Sequence, residues 1–317
     1  MHRKSKFASL RISVLVLCIA SLIVFVGNGE IGTNTPSEPS EYVVREGDKV
    51  VCEGTAEQVR ACDYMNKMAS VPWSIPEGES LRYKSGASLT GGNYRGLPYT
   101  QEFRDCPDFS EDVVQKGIDE AIDGKADIKG VDCSSAVTYA WRFAAGVDGD
   151  DDTFLKGGES AYTVASFLYD SMSDSEGTTP RGSIYRDNVI KVGDYGKYED
   201  YGKVEYTDKI IEHLSDRNCY SQGDLYDNVY SRMQPGDALL TYRKEKEIVG
   251  HIIMVTDVFL EYDGDGIDEE NSWVYITDQN SPGITVTSEY RSSWRVRHPI
   301  SFKELKDKNY IPVRLNK

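Results

Sequence analysis

The sequence predicts an α+β protein, in which helical and strand patterns occur side by side. Two observations point that way. In Asp132-Cys133-Ser134-Ser135-Ala136-Val137-Thr138-Tyr139-Ala140-Trp141, residues Ala136, Val137, Ala140, Trp141 and then Ala144 recur at helical spacing, so they form one buried stripe. Farther on, Gly250 to Val258 and Trp273 to Asn280 are rich in β-branched and apolar residues, as strands are, and Asp-Gly turns join them.

In chain order, residues 1–11 are basic, Ile12 to Val26 is apolar, and Gly27-Asn28-Gly29 follows. That is the pattern of a secretory signal peptide, with an uncleaved N-terminal anchor as the alternative, because about twenty apolar residues are needed to span a bilayer. Residues 1–29 are therefore read as signal peptide or anchor, 30–48 as a linker rich in Thr, Ser and Pro, and 49–317 as one domain with a long insertion around 147–230. The expected location is secreted or extracellular, touching a membrane only through the N-terminal segment. The net charge of −16 over 317 residues leaves nothing to neutralise phosphates, so nucleic acid is excluded as a partner.

Thr55 with Gln58 forms a capping box opening a helix through about Met68, which Val71-Pro72-Trp73-Ser74-Ile75-Pro76 breaks. Gly86 to Gly96 reads as a loop, and Asp112 to Ile122 as a second helix. The helix of Cys133 follows, with Asp132 as N-cap and Gly146 as C-cap. Cys133 thus lies in a first helical turn, where free N–H groups and the positive end of the helix dipole favour a thiolate and can hold an oxyanion. A buried structural cysteine fits the same stretch.

A nucleophile needs a base, and the chain has four histidines. His2 lies in the leader, His213 in an expected helix of the insertion without a motif, and His298 in a basic stretch with Arg291, Arg295 and Arg297, whose charge would depress its pKa. His251 opens an apolar strand. Asp278 and Asn280 alternate onto one face of the next, so both can stand beside it, one orienting the ring through Nδ1. Without Cys18, five cysteines remain, and an odd count invites one free thiol. If it is Cys133, the other four allow three pairings, Cys52–Cys62 with Cys106–Cys219 among them.

In the insertion, Ala161 to Met172 and Thr207 to Leu214 read as helices, and Tyr195, Tyr198 and Tyr201 could line a cleft. Asp263, Asp265 and Asp268 resemble the start of a calcium loop, but Ser272 stands where its closing glutamate would be, so a hairpin of solvated Asp-Gly turns is the preferred reading. No cofactor is required; a calcium ion, if present, would be structural. After Asn280, a strand at Ile284 to Val286, a helix capped by Ser301 with Glu304, and a last strand at Tyr310 to Leu315 complete the chain.

The Asp-Cys-Ser-Ser-Ala-Val segment, Pro235-Gly236-Asp237-Ala238-Leu239, Gly250-His251-Ile252-Ile253-Met254-Val255 and Asp278-Gln279-Asn280 occur in an order that resembles the NlpC and CHAP cysteine hydrolases of bacteria, a papain-like superfamily. Tyr94 to Thr100 is similar to the segment preceding the nucleophile in some of them. The resemblance implies a papain-like α+β fold, with the cysteine opening a helix packed on an antiparallel sheet. It implies a peptidase or amidase acting on peptide or amide bonds, most often the stem peptide of peptidoglycan. It assigns catalysis to Cys133 and His251, with Asp278 and Asn280 in support, and suggests Tyr99 and Ser134 beside the oxyanion. Asp278 stands for the usual Glu, and the spacing from Cys133 to His251 is long. An acyltransferase would use the same residues, and a non-catalytic exported binding protein could share the fold.

Overall fold

The structure, a computed structural model, describes residues 50–51, 53–83, 88–104, 108–147, 188–193, 225–241, 250–264, 266–280, 285–287 and 289–316. The expectations for the leader and linker, for the helices at 161–172 and 207–214, and for Tyr195, Tyr198, Tyr201 and His213 lie outside these residues.

Helix α1 (Ala56–Met68) starts at the expected box: Gln58 N–H donates to Thr55 Oγ1 at 3.3 Å, and Thr55 N–H to Gln58 Oε1 at 2.7 Å. Its buried side is Ala61, Cys62, Met65 and Met68. Helix α2 spans Glu111–Ile122 and α3 spans Cys133–Ala145. Helix α3 ends at Gly146, whose φ of 68° is the left-handed conformation that glycine adopts without a Cβ penalty. Helices α1 and α3 pack on each other and on two central strands, β6 (His251–Leu260) and β9 (Trp273–Gln279).

Among the described residues the main sheet has seven strands, all pairing antiparallel. Its order is β12 (Trp294–Ser301), β9, β6, β5 (Ala238–Thr241), β13 (Ile311–Leu315) and β4 (Val189–Lys191), with β1 (Val50–Val51) alongside the far end of β6. Residues Ile252 to Val258 are buried without alternation, so both faces of β6 are covered, and its side chains from Ile252 to Val255 are apolar on both. Strand β4 comes from the expected insertion, so part of that segment belongs to the sheet. A short helix α4 (Leu225–Asn228) leads into a 3₁₀ turn. There Tyr230, fully buried, donates from its hydroxyl to the Tyr310 carbonyl at 2.8 Å. Helix α5 (Phe302–Asp307) is capped by Ser301, as its sequence suggests, and Phe302 packs edge-on against Tyr230.

The region read as a helix break followed by a loop is instead a pair of strands. Strand β2 (Pro72–Arg82) pairs antiparallel with β3 (Ser88–Arg95), and β11 (Arg291–Ser292) adds to β3 in parallel, with β10 (Thr285–Val286) beyond it. Glycine reads locally as a loop signal, but here it permits close approach: a Cβ on Gly91 would stand 2.7 Å from the Pro76 carbonyl oxygen. Trp73 and Tyr94, opposite each other in the ladder, stack with centroids 4.3 Å apart. The Asp-Gly segment is a hairpin, β7 (Tyr262–Asp263) with β8 (Gly266–Ile267), turning at Gly264 with φ 66°. Asp268 accepts from the Glu270 and Asn271 N–H groups at 3.0 Å and caps the turn after it. Asp265 lies outside the described residues.

Gly96 to Thr100 crosses from the small sheet to the start of α3. Leu97 C=O accepts from Gln279 Nε2 at 2.8 Å and Trp294 Nε1 at 2.9 Å, and Tyr99 forms a parallel bridge with Val131. The bridge leaves no room at Gly130, where a Cβ would lie 2.1 Å from the Pro98 carbonyl oxygen. Gly130→Ala is therefore expected to destabilise the fold by about 1–3 kcal/mol, as overpacking does elsewhere. Urea unfolding measures this, and an unchanged midpoint would deny the close approach.

Candidate active site

Cys133 is the first residue of α3. The helix begins there because Asp132 caps it: Asp132 Oδ1 accepts the Ser135 N–H at 2.8 Å, and Ser135 Oγ accepts the Asp132 N–H at 2.8 Å. Asp132 Oδ1 also accepts from Ser134 Oγ at 2.8 Å, and Oδ2 meets Arg104 Nε at 3.0 Å. Replacing such a cap by Ala typically costs about 0.5–2 kcal/mol. The Ser134 hydroxyl is committed to this cap and fully buried. Any part Ser134 takes in holding substrate would fall to its backbone.

His251 comes toward Cys133 from the first position of β6, near enough for the sulfur to act on its ring. Met254 pairs with Thr277, so continuing the antiparallel register sets His251 across from Asn280, and Asp278 two positions along on the same face. Of the two polar residues, the one His251 Nε2 meets is Asp278, with Oδ2 at 2.8 Å. The expected use of Nδ1 is thus corrected: Nε2 serves the carboxylate, which leaves Nδ1 on the Cys133 side. Asn280, half-buried, donates its backbone N–H to the Ser293 carbonyl at 2.9 Å.

Asp278 has no exposed surface. Its neighbour across the ladder on β12 is Arg295, whose Nε donates to Oδ1 at 2.8 Å and whose Nη2 donates to Oδ2 at 2.7 Å. Burial pushes the Asp278 carboxyl up, but hydrogen bonds from His251 and Arg295 prevail and hold it below the usual range. Burial acts on His251 toward the neutral ring. The negative charge of Cys133 and the hydrogen bonds with Asp278 and Cys133 outweigh it and raise the imidazole to about 10. His298 lies below its ordinary value chiefly through desolvation, and the charge of Arg295, the cause its basic surroundings suggest, comes second.

Tyr99 accepts a hydrogen bond from Gln101 Nε2 at 2.9 Å. Burial, then the charges of Cys133 and Asp132, push its hydroxyl up to about 12, so it keeps a proton to donate.

Sequence reasoning missed Arg295. Its signal was only a basic stretch after the third strand, and nothing in composition says which arginine faces Asp278. That depends on the β9–β12 register. The suggested Cys52–Cys62 pairing does not form. Cys62 is a free buried thiol whose Sγ donates to the Val255 carbonyl at 3.3 Å, and desolvation drives its pKa strongly upward. Odd-count arithmetic therefore does not single out Cys133. Among the described residues no group of three or more His, Cys, Asp or Glu side chains is placed to hold a metal.

The raised pKa of His251 carries a sign. Its stabilising contribution is fully present below about 6.5, the ordinary value, and is lost as pH climbs toward 10. By ring-proton NMR, His251 is expected to stay protonated well past neutrality. In Cys133→Ala, the titration should fall by more than about one pH unit, since the strongest influence raising it is gone. An unshifted curve would mean that the two side chains do not interact.

No family model matches the chain, and neither the curated proteins nor the solved structures compared with it offer a match.

Proposed function

We propose that the chain is an exported cysteine hydrolase, a peptidase or amidase of papain-like fold akin to the NlpC and CHAP enzymes. The single observation that supports it most is the meeting of Cys133, His251 and Asp278, from one helix and two strands far apart in sequence, with the sulfur at a helix N-terminus and the carboxylate on the far ring nitrogen.

The Cys133 thiolate attacks a peptide or amide carbonyl carbon, and the carbonyl π electrons move onto oxygen. The Cys133 backbone N–H and the Tyr99 hydroxyl are the donors for that oxyanion. The tetrahedral intermediate collapses, the C–N bond breaks, and His251 gives its proton to the departing amine. Water then adds to the thioester, giving its proton to His251, and the C–S bond breaks to release a carboxylic acid and restore the thiolate. Asp278 holds the ring so that one nitrogen faces the sulfur throughout, and it stabilises the imidazolium charge. The substrate class that the motif resemblance favours is the stem peptide of peptidoglycan, met outside the cell.

The test is a digest of purified peptidoglycan by the chain from about Glu41 onward, with products weighed by mass spectrometry. Wild type is expected to release new fragments whose masses identify the bond cut. Cys133→Ala and His251→Ala should lower the rate at least about a thousandfold. Acceptor amines built into the products would turn the reading to an acyltransferase. No products from wall or peptide, with an inert Cys133 thiol, would leave a binding protein.

A further inference from the structure

A buried carboxylate next to an imidazolium has two oxygens and several lone-pair directions, and only one of them points at the ring. Something must choose it. Asp278 is wholly buried, so water does not. Arg295 is the group that does: its fork takes Oδ1 through Nε and Oδ2 through Nη2 at 2.8 and 2.7 Å. Oδ2 is then shared with His251 Nε2 at 2.8 Å. With both oxygens clamped, the carboxylate neither rotates nor swings away, and the ring is left one orientation.

The backbone holds Arg295 in place on both sides. Trp294 precedes it, buried, with its indole N–H on the Leu97 carbonyl and its ring where a Cβ on Gly96 would stand 2.2 Å away. After it, the β9–β12 ladder shifts register between Arg295 and His298, and Arg297 turns left-handed at φ 50°. The bulge lets Arg297 reach Asp257 at 3.1 Å while Arg295 keeps its place opposite Asp278.

We infer that Arg295 is a positioning residue of the site, acting through Asp278 to fix the imidazole of His251 toward Cys133. The inference rests on the hydrolase reading for its consequence in turnover, but the geometry it describes is measurable without a substrate. Besides His251 and Asp278, the titratable and charged groups bearing on this cluster are Cys133 from α3, His298 on β12, Glu304 and Lys308 at the α5 end, and Tyr310 before β13.

Two variants of the full chain separate charge from geometry. Arg295→Met removes both; Arg295→Lys keeps the charge but cannot make the two-point fork. The first readout is the pH profile of Cys133 alkylation by iodoacetamide, followed on the Cys133 peptide by mass spectrometry so that Cys62 does not contribute. The second is the His251 Nε2–H proton resonance, which a fixed bond to Asp278 should hold downfield and slow to exchange. In Arg295→Met, Asp278 loses two donors while staying buried, so the acid limb of the profile should move up by about one pH unit or more. In Arg295→Lys, that limb should stay near wild type while the Nε2–H resonance broadens or vanishes, with melting curves confirming that the chain is folded. A Lys variant that keeps a sharp, protected Nε2–H would overturn the inference, as would an unmoved acid limb in the Met variant. Should the Met variant fail to fold, the Lys variant decides alone. If wild type cleaves neither wall nor peptide and the variants still divide in this way, the hydrolase reading falls while the positioning role stands.

Discussion

A carboxylate with no exposed surface is costly unless its lone pairs are taken up, and at Asp278 they are. Removing one partner of such a buried pair typically costs about 3–5 kcal/mol, because the remaining charge is stranded. Three neighbouring strands, β6, β9 and β12, must therefore stay in one register, since His251, Asp278 and Arg295 each come from a different one. A slip of a single residue would turn each side chain to the opposite face. The site and the centre of the main sheet are in this sense one structure. Both ladders change register only past the site, β6–β9 after Val255 and β9–β12 immediately after the Arg295–Asp278 pair, which itself stays in register.

The parts of this arrangement that were legible in the sequence are those set by local chemistry. The capping box at Thr55, the Asp132 N-cap and the Gly146 C-cap rest on residues within a few positions of each other, and each stands where its sequence puts it. The strand of His251 could be read from an apolar run, and the common face of Asp278 and Asn280 from the period of two. What was not legible depends on long-range pairing. Strands β2 and β3 carry prolines and glycines that locally signal a break. They form a ladder because the Trp73–Tyr94 stack and the contact of Gly91 with Pro76 join residues about twenty positions apart. Arg295 was visible only as one arginine of three, and its distinction from Arg291 and Arg297 is a matter of register. Arg291 goes to Thr90 and Tyr94, Arg297 to Asp257, and Arg295 to Asp278. The ring nitrogen facing Asp278 follows from how the strands place the ring, which no residue spacing reveals.

The segment from Gly96 to Thr100 links the two sheets through one carbonyl. Leu97 C=O receives both the Gln279 amide and the Trp294 indole, so a residue beside Asp278 and another beside Arg295 anchor the same peptide group. Two residues later the chain bridges Val131, which precedes the cap of α3. Tyr99 is thereby carried toward Cys133 by the same contacts that brace the carboxylate and the arginine. A change in the packing of Trp294 would be felt at both ends of the site, which is how a buried, close-packed network transmits strain.

Charge alternates along the site. Arg104 meets Asp132, Asp132 caps the helix of Cys133, Cys133 meets His251, His251 meets Asp278, and Asp278 meets Arg295. Two carboxylates flanking Cys133 and His251 would, unpaired, repel any negative charge that develops between them. That matters all the more in a chain of net charge −16, where no general excess of cations stands ready to compensate. Each carboxylate instead meets an arginine. Asp132 further disperses its charge over the Ser134 hydroxyl and the Ser135 N–H and hydroxyl. The same acidic groups can then serve geometry, one starting the helix and the other aiming the ring. The His251 ring is then held between the Asp278 carboxylate, 2.8 Å from Nε2, and Cys133, whose influence on its pKa is the larger of the two.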